Sequence, residues 1–295
     1  MEEALPDLPS QLSYRKRLTK AGAEGVLAKM HIFMGDHTTG LSYLNQCFQS
    51  LADTNIPVGL YDYGVTTQPG GIHRQSIPGL PQFAEFRYKP WPYQDKERVF
   101  TRAQVFLGNF DVLNGALALT PEITQLYGSN DYRLLFMANR IAGTTTPFKI
   151  KGLHRSTRFH NGISYDINFS DLHLLLVECK ARTNDLAGAI QDLEYFRKHR
   201  MPEDEAAIPS GLSKDELIRV IIDERKREFA GSGYLWQTLR RLYYDPLFAG
   251  QTYEHILYDN DTGTIKEVYT LPEKRLVTRL PLNFINANPD MPTNE

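Results

Sequence analysis

This sequence contains few cysteines and carries little net charge. Its 295 residues include two cysteines, Cys47 and Cys179, which are too few for a disulfide framework and are wrongly spaced for a structural zinc site. Because 33 Lys and Arg residues face 35 Asp and Glu residues, the formal net charge is −2, and no global field draws the chain onto nucleic acid. We therefore expect two buried thiols and no nucleic-acid partner.

Long apolar runs and export signals are lacking as well. The longest apolar run, residues 172–177, is interrupted by His173 and falls short of the roughly 18 residues that a membrane span requires. The first residues, Met1 to Pro6, lack the basic and apolar regions of a secretory signal. We therefore expect no membrane-spanning helix, and these first residues give no indication of export.

Sequence motifs of common enzymes are also missing. The sequence has no phosphate-binding loop, no glycine-rich dinucleotide fingerprint and no nucleophile elbow. Residues 223–228 hold carboxylates that a glycosidase would use as acid and base, but their spacing favours helix-surface ion pairs such as Asp223 with Arg227. His31 and His37 lack the one-turn spacing of a helical metal site. These features predict no catalysis, no metal and no cofactor.

Two segments of the sequence resemble each other. Residues 27–36 align with residues 176–185. In each copy a helix with apolar periodicity ends at a residue suited to the left-handed C-cap conformation, and the aspartate that follows can cap the next helix. The C-cap residues are Gly35 and Asn184, and the aspartates are Asp36 and Asp185. Each copy therefore predicts an antiparallel helical hairpin of the tetratricopeptide-like kind, which buries its apolar face by stacking on neighbours.

An irregular segment rich in proline and aromatic residues lies between the two copies. Residues 53–98 contain six of the 17 prolines and should form a loop insertion. Sugar rings stack their C–H faces on flat aromatic rings, and a loop stiffened by proline lowers the ordering cost of binding. The rings that we predict to bind a ligand are Trp91, Tyr93, Tyr88, Tyr63 and Tyr61, of which Trp91 and Tyr93 are favoured by the extended sequence Lys-Pro-Trp-Pro-Tyr.

The same aromatic residues allow a second interpretation. Long ordered loops pack their own side chains onto the rest of the protein, so any of these rings can be structural. A cluster of basic residues raises a similar choice, since it either binds an anionic sugar or phosphate or belongs to a solvated loop. Its members are Lys149, Lys151, His154, Arg155 and Arg158.

The rest of the chain predicts one strong helix and a few short strands. Ser213 and Glu216 form the pattern of a capping box, and the apolar face that follows extends to Phe229. Residues 130–167 alternate enough for short strands or extended runs, and residues 260–263 suit the turn of a hairpin. The fold predicted is mainly α, with tetratricopeptide-like helical repeats, a long irregular loop insertion and a few short strands.

Three blocks of sequence resemble the SusD/RagB family of outer-membrane nutrient-binding lipoproteins. The first is residues 168–178 with 184–190, the second runs from Asp-Glu-Arg-Lys-Arg-Glu-Phe at residues 223–229 to residue 241, and the third is residues 280–289. The hairpin at residues 19–52 also looks like the family's helical repeat. Family members begin with a lipoprotein signal, a lipidated cysteine and a further helical region, and nothing equivalent precedes Thr19 in this sequence.

The resemblance implies a single SusD/RagB-like domain over residues 1–295, formed by a helical hairpin (19–52), the insertion (53–98) and a C-terminal helical region with an irregular tail (99–295). It also implies non-catalytic capture of an oligosaccharide or polysaccharide at the cell outer membrane, as a surface-exposed lipoprotein, and delivery to a TonB-dependent transporter. The alternative function is a helical-repeat scaffold that binds another protein and has no glycan site.

Overall fold

Helices make up most of the regular structure of the protein. The computed structural model describes residues 1–11, 15–74, 94–101, 118–141, 144–156, 166–259, 261–277 and 280–290. The helices are α1 (Lys20–Phe33), α2 (His37–Ala52), α3 (Tyr63–Thr66), α4 (Pro121–Gln125), α5 (Phe169–Arg182), α6 (Leu186–Lys198), α7 (Lys214–Phe229), α8 (Gly233–Leu242) and α9 (Leu282–Ala287). Short 3₁₀ turns lie at Glu2–Asp7, Tyr132–Phe136, Glu203–Glu205, Pro246–Phe248 and Glu273–Arg275. The prediction of a mainly α fold is confirmed.

The strands are short and pair antiparallel in twos. They are β1 (Arg98–Phe100), β2 (Met137–Ala138), β3 (Arg155–Ser156), β4 (Ile167–Asn168), β5 (Glu254–Tyr258) and β6 (Ile265–Thr270). β1 pairs with β4, β2 with β3, and β5 with β6. The predicted short strands within residues 130–167 and the hairpin near residues 260–263 are therefore present.

The two similar sequence segments form two helical hairpins, α1 with α2 and α5 with α6. Gly35 and Asn184 end the first helix of each hairpin with φ angles of 84° and 72°. The next residue, Asp36 or Asp185, donates its backbone N–H to the carbonyl five residues back at 2.9 Å in both copies and caps the following helix with its carboxylate. The predicted helix ends and caps are confirmed in both hairpins.

Apolar side chains between the hairpins form the main core. The residues come from α1, α2, α5, β1 and β4, and include Ala28, Ile32, Leu44, Cys47, Val99, Ile167, Leu172, Leu175 and Cys179. Cys47 and Cys179 are both buried and form no disulfide, as the sequence predicts. Burial, together with the nearby Glu24 carboxylate, raises the pKa of Cys47, so this thiol packs as a small apolar side chain.

Helix α7 begins and ends at the residues that its sequence indicates. The Ser213 hydroxyl accepts from the Glu216 N–H at 3.3 Å, and the Glu216 carboxylate accepts from the Ser213 N–H at 2.8 Å. Gly231, just beyond the last residue Phe229, has a φ of 74°, which favours glycine. With these two ends, the Asp-Glu-Arg-Lys-Arg-Glu-Phe block forms the last two turns of α7.

The chain divides into two compact units. The first comprises Met1–Pro147 and Gly152–Leu235, and the second comprises Phe148–Lys151 and Trp236–Glu295. Both hairpins and α7 belong to the first unit, whereas β5, β6 and α9 belong to the second. The single domain expected over residues 1–295 stays a prediction. Within the described ranges, no helix is both long and apolar enough to cross a membrane.

Candidate functional site

The base of the insertion is held by Tyr61, which contacts both sides of it. The Tyr61 hydroxyl accepts from the Lys96 N–H at 3.1 Å, and the Lys96 ammonium lies 4.8 Å from the centroid of the Tyr61 ring. The edge of the same ring meets His73, with the ring centroids 4.9 Å apart. Residues 73 and 96 flank the ring-rich part of the insertion in sequence, so Tyr61 contacts the chain on both sides of this part.

A buried cluster of rings continues from Tyr61. His73 also packs edge-on against Tyr63 and Phe136, with centroid distances of 5.2 and 5.6 Å, and Tyr63 lies 5.2 Å from Phe136. Ile72 and Tyr132 cover this cluster from the outside. Tyr61 and Tyr63 are 7% and 3% exposed, so their rings pack inside the first unit.

Two of the five predicted ligand-binding residues lie within the described ranges. Tyr61 and Tyr63 are brought together through His73 in the buried cluster, and the structure shows their packing contacts. Tyr88, Trp91 and Tyr93 lie outside the described residues. Contact of these five rings with a ligand stays a prediction.

Arg200 fastens the insertion to the helices. Its guanidinium donates to Glu97 Oε1 at 2.8 Å, to the Tyr61 carbonyl at 2.6 Å and to Glu228 Oε2 at 2.9 Å. Its central carbon also lies 4.2 Å from the centroid of the Tyr63 ring, within the range of a cation–π contact. One fully buried side chain therefore connects both sides of the insertion with helix α7.

The charge of Arg200 is maintained by its carboxylate partners. Burial alone disfavours the charged form, but the Glu228 and Glu97 carboxylates outweigh it and raise the pKa of Arg200. Arginine suits this place because its planar group donates several hydrogen bonds in fixed directions.

Glu224, one turn before Glu228 on α7, belongs to a second buried group of charges. Its Oε1 lies 2.7 Å from Arg133 Nη1, and its Oε2 accepts from Arg227 at 2.5 Å. Arg133 in turn donates to both carboxylate oxygens of Asp131, at 2.9 and 2.7 Å. Burial opposes ionisation of Glu224, but Arg133 and Arg227 prevail and lower its pKa to about 2.

The helix-surface pair expected between Asp223 and Arg227 is not the one formed. Asp223 pairs with Lys226 at 2.8 Å, and Arg227 turns instead to the buried Glu224. The sequence suggested a solvated face because charges at this spacing usually lie in water, whereas α7 packs this side against other elements of the first unit. The structural interpretation of the block holds, but its charges are internal.

The carboxylates of α7 do not have the properties of a glycosidase pair. Such a pair needs one acid whose pKa is raised so that it can protonate the leaving group. The pKa of Glu224 is lowered instead, and Glu228 is bound by Arg200 at 2.9 Å. Their geometry is that of buried structural ion pairs.

The basic residues singled out in the sequence are distributed over both units and beyond the described residues. Lys149 and Lys151 belong to the second unit, whereas His154 and Arg155 belong to the first, and Arg158 lies outside the described residues. Arg155 donates to the Arg140 carbonyl at 2.8 Å, a contact that holds the chain between β2 and β3. Among the residues that the structure describes, no group of three or more His, Cys, Asp or Glu side chains could hold a metal ion.

Tyr195 is an exposed ring beside the insertion that our sequence analysis did not identify. It is 51% exposed on α6, and its ring centroid lies 4.7 Å from that of His199. The His199 carbonyl accepts from the Tyr63 N–H at 3.0 Å, which places this pair next to the start of α3. The helical periodicity of apolar residues on α6, where Leu193 and Phe196 are buried, would have indicated that Tyr195 lies on the exposed face.

Comparison with known proteins supports the same class of fold. Residues 151–295 match the model of the SusD family. A candidate sugar-binding protein from Bacteroides vulgatus superposes with a TM-score of 0.66 at 16% identity, covering 99% of this chain and 62% of that one. A SusD-like protein from Bacteroides fragilis gives a TM-score of 0.64 at 14% identity, covering 99% and 68%. Surface glycan-binding protein A from Bacteroides thetaiotaomicron gives 0.53 at 16% identity, covering 98% and 66%.

These similarities define a helical-hairpin protein of the SusD-like class. Residues 151–295 match the SusD family, and over nearly its whole length the chain has the fold of SusD-like proteins. The family resemblance seen in the sequence is confirmed. The chain spans about 62% of the length of the Bacteroides vulgatus protein. No protein of curated function matches it in sequence.

Proposed function

We propose that this protein binds a carbohydrate without transforming it, through aromatic rings of residues 53–98. Trp91 and Tyr93 are the main contacts in this proposal, and Tyr88 assists them. Tyr61 and Tyr63 are part of the same proposal, and their packing with His73 anchors the start of the insertion. Two of the similar structures, the candidate sugar-binding protein and the surface glycan-binding protein, are named for the same activity.

The observation that carries the proposal is the anchoring of the insertion on both sides. Arg200 binds the Tyr61 carbonyl on one side and Glu97 on the other, and Tyr61 itself holds the Lys96 N–H. A binding loop gains affinity when its ends are fixed before the ligand arrives, because less conformational freedom is lost on binding. Buried anchors of this kind are costly to build and are well suited to present a ring-rich loop.

Carbohydrate is the ligand class that the chemistry favours. Tryptophan and tyrosine offer flat apolar faces for the C–H side of a sugar ring, and tyrosine hydroxyls can exchange hydrogen bonds with sugar hydroxyls. The absence of catalysis in the proposal rests on Glu224 and Glu228, because both carboxylates are buried and occupied by arginines.

The wider role of the protein is part of the same proposal. Family resemblance suggests a surface-exposed lipoprotein of the cell outer membrane that delivers its glycan to a TonB-dependent transporter. Co-purification of a TonB-dependent transporter with the tagged chain from detergent-solubilised outer membranes supports this role. If the chain recovers no such transporter from membranes that contain one, delivery by direct contact is wrong.

Fluorescence titration can test the glycan site because the chain has only two tryptophans, Trp91 and Trp236. The chain is titrated with laminarin, soluble starch, arabinoxylan, pectic galactan and mucin O-glycans, and affinities are confirmed by calorimetry. We expect one or more of these glycans to change the tryptophan emission. Trp91→Ala should remove this change and weaken binding at least about fivefold.

Trp236→Phe is the matched control for the titration. It leaves Trp91 as the only indole, so the emission change should persist and the affinity should stay the same. Binding that Trp91→Ala and Tyr93→Ala leave unchanged would show that the site lies elsewhere. A folded chain that binds none of the five glycans would favour the protein-binding scaffold instead.

A further inference from the structure

Three tyrosines of the second unit cluster at its surface. The rings of Tyr243 and Tyr244 meet edge-on with their centroids 5.2 Å apart, and the Tyr253 ring lies 6.3 Å from that of Tyr243. Tyr244 is 64% exposed. Tyr243 and Tyr253 are half-buried, so the cluster presents one exposed ring beside two partly buried ones and offers an aromatic face to another molecule.

The backbone that carries these rings is well ordered by hydrogen bonds. Tyr243 and Tyr244 follow directly after α8, and the Tyr243 N–H donates to the Leu239 carbonyl at 3.1 Å. Tyr253 directly precedes β5, and its carbonyl accepts from the Leu271 N–H at 2.8 Å. The cluster therefore combines the end of a helix with the open end of the β5–β6 hairpin.

Two of the three hydroxyls are anchored, and this fixes the orientation of their rings. The Tyr253 hydroxyl donates to the Leu239 carbonyl at 2.7 Å. Burial, with the neighbouring Tyr243, raises the pKa of Tyr253 to about 12, so the donor stays protonated at neutral pH. The Tyr244 hydroxyl hydrogen-bonds the Glu273 carboxylate. Rings held in this way lose little freedom when a ligand stacks on them.

We propose that Tyr243, Tyr244 and Tyr253 form a second carbohydrate-contacting surface, carried by the second unit and additional to the rings of residues 53–98. It rests on the proposed function and extends it. The exposed face of Tyr244 stacks on the C–H face of a pyranose, and Glu273 accepts a hydrogen bond from a sugar hydroxyl. Glu273 and Arg240 both lie close enough to Tyr244 to act on it electrostatically. Polar groups beside an aromatic ring suit a polyol, which has many hydroxyls, better than an apolar peptide segment.

Affinity electrophoresis and calorimetry with the same five glycans test this surface through Tyr244→Ala. We expect this variant to weaken binding about fivefold, the effect of losing one aromatic contact. The matched control is Tyr269→Ala, because Tyr269 is also exposed in the second unit, at 48%, and its hydroxyl also donates to a glutamate, Glu267. The control should bind as the unmodified chain does.

Comparison with Trp91→Ala distinguishes this proposal from the first one. If Tyr244→Ala and Glu273→Gln both bind normally while Trp91→Ala is impaired, the second surface is wrong and the proposed function stands. If Tyr244→Ala is impaired while Trp91→Ala binds normally, the second surface is the site and the insertion is not. An unmodified chain that binds none of the glycans overturns both proposals.

Discussion

Arg200 and Glu97 form a buried ion pair at 2.8 Å between residues that are 103 positions apart in the sequence. Glu97 lies at the end of the insertion, and Arg200 lies just beyond helix α6. Because Arg200 also binds Glu228 of α7, the position of the insertion depends on charges contributed by the helices. Glu228, which belongs to the family-like block of α7, is therefore linked through Arg200 to the end of the segment that we propose to bind glycan.

Replacing Arg200 by methionine should strongly destabilise the protein. Methionine fills a similar volume but leaves the Glu97 and Glu228 carboxylates buried without their partner. Breaking a buried ion pair on one side typically costs about 3–5 kcal/mol. Urea unfolding followed by circular dichroism should show this loss in the free energy of unfolding.

Lys198→Met is the matched control for that measurement. Lys198 pairs with Glu203 at a similar distance, 2.7 Å, but both side chains are largely exposed. Water screens such a pair, so the control should unfold at almost the same urea concentration as the unmodified chain. Equal effects of the two substitutions would show that the network around Arg200 does not stabilise the fold.

Stability should fall at low pH because of Glu224. Its pKa is lowered from 4.5 in the unfolded chain to about 2 in the folded protein, so the folded state holds this carboxylate ionised more tightly. Its contribution of about 3 kcal/mol is present above about pH 4.5 and is lost as the pH falls towards 2. Urea unfolding measured at several values between pH 5 and pH 2 should show this decline.

Glu224→Gln should make that decline shallower, because glutamine does not titrate. The variant is compared with the unmodified chain at each pH, so its lower stability at neutral pH does not affect the comparison of slopes. Identical slopes for the two proteins would mean that other carboxylates, such as Asp171 beside Lys29 and Arg225, dominate the acid response.

The two hairpins should respond alike to alanine at their turns. Gly35 and Asn184 both adopt positive φ angles, a conformation that costs an alanine roughly 1–2 kcal/mol. A Cβ added at Gly35 would meet nothing within 4 Å, so strain of the backbone is the only expected cause. Gly35→Ala and Asn184→Ala should each lower the free energy of unfolding by about 1 kcal/mol, and Asn184→Gly should leave it nearly unchanged.

The hairpin ends could be predicted because their determinants are local. A left-handed residue followed by a capping aspartate is visible within three positions of sequence, and both copies follow this rule. The same is true of Ser213 and Glu216 at the start of α7. Each of these features depends on hydrogen bonds between residues that are neighbours in the chain.

The partners of buried charges could not be predicted in the same way. Arg225 binds Asp171 across 54 residues, and Arg200 binds Glu97 across 103. Nothing in the local sequence distinguishes Arg225 from Arg219, which lies on the same helix α7 but is exposed. The sequence therefore suggested a solvated ion pair for Arg227, and only tertiary packing shows that the charges point inward.

Tyr61→Phe should decide between the two roles of Tyr61 that the sequence left open. The substitution keeps the ring but removes the hydroxyl that accepts the Lys96 N–H, which should cost about 1 kcal/mol of stability. If Tyr61 only supports the insertion, glycan affinity should change less than twofold once the variant is fully folded. A fivefold or larger loss of affinity in the folded variant would contradict a purely supporting role. Tyr195→Phe, at an exposed ring on α6, is the control, because it should leave stability unchanged.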